Sequence, residues 1–159
     1  MARLPRLTLP GLPHYVVLRG NNLQPIFVDG QDYAHMKAVL AEMAGRFGVQ
    51  LHAFALLPNQ LHLLLTPEQA DSLPQFMQSV GRTYVRSFNN RHGRSGTLWE
   101  GRYRATVLEP QSWMLPAMVV LECQPVDEGV TSRAVDYGWS SARHHVGAQT
   151  ERKLRLHPS

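Results

Sequence analysis

The sequence predicts a single α+β domain in which an open antiparallel sheet carries its helices mainly on one face. Two short apolar runs, residues 53–57 and 63–65, flank the turn dipeptide Pro58-Asn59, which indicates a hairpin of buried strands. Strand-like and helix-like segments around this hairpin follow in the order strand, helix, strand, strand, helix. The 159 residues, 43% of them hydrophobic, are enough to build one full core.

The first half of the chain gives the clearest pattern. A strand is expected at residues 14–20, because HYVVLRG is rich in β-branched and aromatic side chains. A helix is predicted over 31–47 from apolar residues at helical spacing, and Gly48 would end it. The two hairpin strands then cover 49–57 and 60–66.

A second long helix is predicted at residues 73–90, with Asp71 or Ser72 as its cap and Pro74 in its first turn. Residues 96–109 have β character, and we interpret them as an extended hairpin-like stretch or a late strand. Residues 73–109 are thus expected to add one helix and one extended segment.

A third helix is expected over residues 111–124, ending before Pro125, with Pro116 kinking or shortening it. Residues 126–147 are expected to pack back as turns and a short helix. This order of elements fits an open antiparallel sheet of the ferredoxin-like kind. The predicted domain spans 1–147, and 148–159 form a polar C-terminal tail.

Several protein classes are excluded by composition. No apolar run approaches the ~20 residues needed to span a bilayer, and the proline-rich N-terminus lacks the apolar segment of a signal peptide. Cys123 is the single cysteine, so the chain has no intrachain disulfide and no multi-cysteine zinc site. We therefore expect a cytoplasmic protein without a membrane partner.

Two polar residues open the second hairpin strand. Gln60 and His62 are separated by Leu61, so they share one face of a strand that is otherwise leucine. A metal ion, a nucleic acid or a buried hydrogen-bond network would satisfy them. An exposed face of a half-covered sheet is the alternative.

Basic residues cluster between positions 82 and 104, where Glu100 is the one acid. The chain carries a formal charge of +4 and lysine is nearly absent, so the positive charge is almost entirely arginine. Arginine suits forked phosphate contacts and stacking on bases, which favours a nucleic-acid interface over a merely solvated basic face. The predicted contact residues, including two aromatic candidates for base stacking, are Arg82, Arg86, Arg91, Arg94, Trp99, Arg102, Tyr103 and Arg104.

Five ordered segments resemble the REP-associated tyrosine transposases, a group of the single-domain HUH transposases. They are LPGLPHYVVLRGNN, LLPNQLHLLL, MQSVGRTYVRSFNNRHGRSGTLWEGRY, ECQPVDEGV and DYGWSSARHH. The resemblance implies a ferredoxin-like fold and a single-stranded or hairpin DNA partner. It also implies a divalent cation bound by a His-apolar-His motif, a tyrosine nucleophile on a later helix, and an amide four residues beyond that tyrosine.

The chain departs from this pattern at both catalytic positions. Gln60 stands where the resemblance implies the first metal-binding histidine, and Val120 stands in the nucleophile slot, with Gln124 in the amide slot. Gln60, His62 and Gln124 could then bind Mg²⁺ or Mn²⁺ only weakly. Valine offers no nucleophile, so no catalytic residue is expected, and Tyr84 and Tyr103 are interpreted as core or stacking residues.

Three functions remain open. The first is a transposase-like protein that recognises single-stranded or hairpin DNA, acting as a monomer or homodimer, without tyrosine-dependent cleavage. The second is an active metal-dependent single-strand nuclease or transposase with an altered nucleophile. An RNA-binding or protein-interaction domain on the same fold is the third.

Overall fold

The computed structural model describes residues 8–134 and 137–142, which form an α+β fold around one antiparallel sheet. The order of elements agrees with the prediction for the first five. The elements are β1 (His14–Arg19), α1 (Gly30–Phe47), β2 (Val49–Leu57), β3 (Gln60–Pro67), α2 (Ser72–His92), β4 (Arg104–Val107), α3 (Pro110–Glu122) and α4 (Gln124–Asp127).

The sheet order is β2-β3-β1-β4, and every neighbouring pair is antiparallel. β3 is therefore an inner strand, paired on both sides, and it carries Gln60 and His62. His62 lies opposite Val17 on β1 and opposite Ala55 on β2. This register surrounds His62 with small or apolar neighbours on both sides.

The two faces of β3 pack against different helices. Leu61, Leu63 and Leu65 face the larger core, which α1 and α2 complete, as predicted for helices on one face. Gln60, His62 and Leu64 face the opposite side, where Leu64 packs with Met114 and Leu121 of α3. The polar pair thus lies on the face covered by the shorter helix.

Local sequence explains the ends of the two long helices. Asp29 caps α1 by accepting a hydrogen bond from the Asp32 backbone N–H at 3.1 Å, and Gly48 ends the helix in the left-handed conformation at φ 70°. α2 runs slightly beyond the predicted bounds at both ends. Its preceding residue Asp71 makes no capping bond and instead accepts from the Gln75 amide at 3.3 Å.

The third helix differs from its prediction. It begins at Pro110, where Glu109 accepts bonds from the backbone N–H groups of Gln111 and Ser112, and it continues through Pro116 without ending. It stops at Glu122, so the predicted segment 111–124 is divided, and Pro125 lies inside α4 instead of after a helix. A proline in the first turn needs no N–H partner, which is why Pro110 and Pro125 both fit helix starts.

Of residues 96–109, only Arg104–Val107 form a strand, the edge strand β4, and Trp99 adds one isolated bridge to Gly20. Farther along, the chain returns to the other edge, where the Leu56 N–H donates to Trp139 O and the Ser141 N–H donates to Phe54 O, each at 2.9 Å. The predicted packing back is thus present at 137–142. Of the segment 126–147, residues 135–136 and 143–147 lie outside the described residues, as does the predicted polar tail 148–159.

Within the described ranges, none of the helices has the length and apolar character needed to cross a membrane.

Candidate nucleic-acid interface

Gln60 and His62 are buried, with 7% and 6% of their surface exposed, so the alternative of a solvated sheet face is wrong. The Tyr15 hydroxyl lies 2.8 Å from His62 Nδ1, and Gln60 Oε1 lies 3.1 Å from His62 Nε2. The Gln60 amide nitrogen is 3.5 Å from Glu128 Oε1, a long contact. These groups form a hydrogen-bonded chain, of the buried-network kind that the sequence left open.

The directions of these hydrogen bonds are mutually consistent. If Gln60 points its amide NH₂ at Glu128, its carbonyl oxygen faces His62 and accepts from Nε2–H. Nδ1 is then an acceptor and receives the Tyr15 O–H. Burial, with Arg19 adding a like charge, lowers the pKa of His62 to about 4, so the ring is neutral near pH 7.

The predicted metal ligands are only partly brought together. Gln60 Oε1 contacts His62 Nε2 at 3.1 Å, whereas the Gln124 amide at the start of α4 donates to Val120 O of α3 at 3.3 Å. No group of three or more His, Cys, Asp or Glu able to hold a metal occurs among the described residues. Of the three residues that the resemblance places at the metal, only His62 offers an imidazole, while Gln60 and Gln124 offer neutral amide oxygens, which are weaker ligands for most transition ions.

Val120 lies on α3 with 53% of its surface exposed. Exposed apolar side chains continue beside it along the same helix, at Trp113, Leu115 and Val119. Val120 therefore adds only methyl groups to this surface, so its side chain contributes neither a nucleophile nor a proton donor.

Other tyrosines are held in structural roles. The Tyr84 hydroxyl donates to Ile26 O and the Tyr137 hydroxyl donates to Leu56 O, and burial raises the pKa of both phenols. Tyr84 is 1% exposed, in agreement with its predicted core role. Tyr15 differs because its partner is His62, although burial also raises its pKa to about 12.

Two of the six predicted phosphate-binding arginines are engaged within the fold. Arg91 forms ion pairs with Asp29 and Asp32, and hydrogen bonds from Arg91 hold the pKa of Asp29 at about 2. Arg94 donates to Asn89 Oδ1 at 2.6 Å and to Thr97 O at 3.1 Å. Both side chains tie the C-terminal end of α2 to its surroundings, and phosphate binding would have to compete with these bonds.

The remaining four arginines are exposed, and their guanidinium groups make no hydrogen bond to the described residues; they are Arg82, Arg86, Arg102 and Arg104. Arg102 lines two cavities, one shared with Arg82 and a small one shared with Arg19 and Arg104. We call Arg82, Arg102, Arg104 and Arg19 the arginine strip. It runs from α2 to the sheet edge beside the Gln60–His62 face.

Sequence reasoning missed three residues near this face. Arg19 lies opposite Gln60 in the β1–β3 register, although it is 85 positions before Arg104 in the chain. Tyr15 and Glu128 contact His62 and Gln60 but come from distant segments. The alternation of side chains along β1 could have placed Tyr15 and Arg19 on one face, but the strand pairing was needed to identify which face.

The aromatic candidates are less accessible than predicted for base stacking. Tyr103 is 9% exposed and belongs to the larger core. Trp99 is half-buried, and its indole N–H donates to Gly81 O at 3.3 Å. Both line a cavity of about 550 Å³ between α2 and residues 97–103.

Comparisons with known proteins agree on one family and fold. The family model described as "Transposase IS200 like" matches residues 12–114. A solved structure of a REP-associated tyrosine transposase bound to a REP hairpin is similar at 14% identity and a TM-score of 0.73, covering 99% of this chain and 92% of that chain. A crystal structure from Deinococcus radiodurans R1, described as a candidate transposase, has 20% identity and a TM-score of 0.52, covering 75% and 96%. Among curated proteins, none matches this sequence.

Proposed function

The chain belongs to the IS200-like transposase family, and from this premise we propose that it binds single-stranded or hairpin DNA without forming a covalent tyrosine–DNA link. The observation that carries the binding proposal is the arginine strip, together with Arg86 one helical turn beyond Arg82. These guanidinium groups are exposed and lack partners among the described residues. Phosphate groups are the partners that such forked donors fit best.

The ligand class is supported by a structural neighbour. That neighbour, a REP-associated tyrosine transposase, is bound to a REP hairpin. A hairpin with single-stranded flanks offers both the phosphate backbone and unpaired bases to a basic surface. We therefore take this form of DNA as the ligand to test.

The absence of covalent chemistry rests on Val120 and Gln60. Transfer through a phosphotyrosine needs a phenol oxygen held in line with the scissile bond. Val120 supplies no phenol oxygen. The polar atoms of Gln60 and His62 are already engaged in hydrogen bonds with each other and with Tyr15 and Glu128. We propose that any binding of Mg²⁺ or Mn²⁺ there is weak and that DNA binding does not require it.

A second candidate function follows from one contact. Tyr15 is hydrogen-bonded to His62, a pairing in which a histidine could take a proton from a tyrosine nucleophile. The raised pKa of Tyr15 and the lowered pKa of His62 both oppose that transfer. The alternative function is thus an active nuclease in which Tyr15 is the altered nucleophile, and the pKa shifts make it the second choice. A covalent DNA adduct that is lost in Tyr15→Phe would support it.

The binding proposal is tested by the salt dependence of affinity. We expect hairpin DNA affinity to fall steeply with salt, and the slope of log K against log salt to decrease by roughly 0.7 to 0.9 for each phosphate contact removed. The variants are the pairs Arg82→Gln with Arg86→Gln, and Arg102→Gln with Arg104→Gln. Fluorescence anisotropy over a salt series measures both slope and affinity.

A matched control carries the same change of charge on other surfaces. Arg46 on α1 and Arg133 after α4 are both exposed, so Arg46→Gln with Arg133→Gln should leave the slope nearly unchanged. Equal slopes in all three double variants and the unmodified protein would place the DNA on another surface. No affinity for any hairpin or single strand would refute the proposed function.

A further inference from the structure

Two successive residues after β1, Asn22 and Leu23, have left-handed backbone conformations, with φ 55° and 56°. Asparagine adopts this region readily, whereas a bulky side chain such as leucine is crowded there by its own backbone. Leu23 also leaves 59% of its surface exposed, so burial in the core does not offset the strain. A strained backbone and an exposed apolar side chain at one position indicate that this leucine serves a contact outside the chain.

The turn that carries Leu23 is fixed by hydrogen bonds. The Leu23 N–H donates to Gly20 O at 3.1 Å, and the Gln24 N–H donates to Asn21 O at 3.0 Å. A Cβ at position 20 would lie 2.5 Å from Gln24 O, so only glycine lets the turn close this tightly. Leu98 O accepts from the Asn21 N–H at 2.9 Å and from the Gln24 side-chain amide at 3.2 Å. Leu23 is thus presented by a preformed turn, which reduces the entropy cost of binding.

The turn adjoins the arginine strip, and this charge indicates what covers Leu23. Arg19 ends β1 just before the turn, and its carbonyl accepts from the Glu100 N–H at 2.8 Å. Arg19 also lines the small cavity that it shares with Arg102 and Arg104. Phosphates are the groups that this strip fits, so the apolar partner of Leu23 should be one that carries phosphates beside it. The outer face of a terminal base pair meets both conditions, because it is apolar and each of its strands has a phosphate backbone.

We propose that Leu23 is an apolar wedge that packs on the last base pair of the hairpin stem, where the paired stem meets its single-stranded flanks. The inference rests on the proposed function and goes further, because it assigns recognition of the stem end to one side chain. Apolar side chains that pack against base pairs are an established mode of DNA recognition. At a stem end the outer face of the base pair has no paired neighbour, so packing there requires no kink in the duplex.

Replacing Leu23 should affect stability and affinity differently. Leu23→Gly removes the backbone strain, so the thermal unfolding midpoint should stay the same or rise. Affinity for a hairpin with single-stranded flanks should fall roughly 3- to 30-fold, as for loss of part of the apolar burial of one leucine. The salt slope should not change, because no charge is removed. Thermal unfolding and fluorescence anisotropy measure these quantities.

Three DNA ligands locate the contact. The first is a hairpin with a short single-stranded flank on each side, and the second is a closed dumbbell of the same stem, with a loop over each end. The third is an unpaired strand of the same length and scrambled sequence. Only the first has an open stem end, so only its affinity should fall in Leu23→Gly. 2-Aminopurine in the last base pair of that stem should change its fluorescence with the unmodified protein and change less with the variant.

Three further variants serve as controls. Leu23→Met keeps an apolar side chain of similar length and should retain hairpin affinity. Leu23→Ala should lose affinity as Leu23→Gly does, which shows that the side chain and not the backbone is responsible. Leu115 is an exposed leucine on α3, so Leu115→Ala matches the loss of apolar surface and should leave hairpin affinity unchanged.

The outcomes separate this inference from the proposed function. Equal hairpin affinity in Leu23→Gly and the unmodified protein, or an equal loss for all three DNA ligands, overturns the wedge and leaves DNA binding standing. A lower unfolding midpoint in Leu23→Gly also overturns it, because Leu23 would then serve the fold. A dimer in sedimentation that Leu23→Gly dissociates would make a second copy the partner of Leu23, which overturns the wedge as well. Failure of the unmodified protein to bind any of the three ligands refutes the proposed function itself.

Discussion

At the scale of single residues, His62 is defined by what its two ring nitrogens contact. Tyr15 contacts Nδ1 and Gln60 contacts Nε2, and the ring's neighbours in the sheet are leucines of β3 and Ala55 of β2. An imidazole buried this way is stable only in its neutral form, because protonation would place an unpaired donor and a charge in an apolar setting. The same contacts that satisfy the ring therefore make it sensitive to acid.

Stability should fall as the pH drops through the range set by His62. Its pKa is about 4 in the folded protein and about 6.5 in the unfolded chain, so the unfolded state binds the extra proton first. This contribution is fully present above about pH 6.5 and is lost progressively toward pH 4, amounting to at most roughly 3 kcal/mol. Urea unfolding at several pH values measures it.

The comparison variant is His62→Gln, which is polar but does not titrate. Its free energy of unfolding should vary less with pH between 6.5 and 4 than that of the unmodified protein. The difference between the two proteins isolates His62, since His14 also has a pKa lowered by burial and adds an effect of the same sign in both. Parallel pH curves for the two proteins would contradict the prediction.

Catalytic recovery at this site should require two changes. We expect Val120→Tyr alone to give little or no protein–DNA adduct, because Gln60 still lacks an imidazole. Gln60→His together with Val120→Tyr should give detectable Mn²⁺-dependent nicking, since nucleophile and metal ligands act as a unit. Labelled hairpin DNA on a denaturing gel shows the adduct.

The control for this double change is Gln60→His with Val119→Tyr, which puts the phenol on a neighbouring exposed position of α3. It should not cleave. An adduct formed by the unmodified protein would show that another tyrosine supplies the nucleophile.

At the scale of elements, α3 is the helix whose sequence agrees least with its structure. Pro116 lies in its interior and is exposed, so Ser112 loses the N–H that would normally bond to its carbonyl. The helix persists because Met114 and Leu121 pack against Leu64 and the alanines of β2. Tertiary packing here outweighs a local preference for ending.

Pro116→Ala should therefore stabilise the protein. We expect a gain of about 1–3 kcal/mol, from the restored hydrogen bond and better helix propensity. Pro110→Ala is the matched control and should change stability little, because Pro110 lies in the first turn where no N–H partner is needed. Thermal unfolding of both variants measures these changes. An unfolding midpoint of Pro116→Ala equal to that of the unmodified protein would contradict the prediction.

At the scale of the whole molecule, the sheet separates two kinds of surface. One face carries α1 and α2, joined at their ends by the contacts of Asp29 and Asp32 with Arg91 and His92. The other face carries the His62 network and the exposed apolar side of α3. The arginine strip connects these two surfaces along the β4 side of the sheet, next to the Gln60–His62 face.

The sequence by itself determined the hairpin of β2 and β3, the two long helices and the face shared by Gln60 and His62. These follow from local periodicity, caps and a turn dipeptide, all of which are encoded within a few neighbouring residues. It also showed that Val120 offers no phenol, since a missing functional group is visible without coordinates.

Only the tertiary structure decided which partners these residues meet. Tyr15, Arg19 and Glu128 reach the Gln60–His62 pair through strand pairing and a chain return, over separations that local pattern does not encode. The arginines between 82 and 104 look equivalent in sequence, yet Arg91 is drawn into ion pairs with the start of α1 while Arg82 and Arg102 line a cavity. Charge and spacing state what a side chain can bind, whereas packing fixes which of those partners lies within reach.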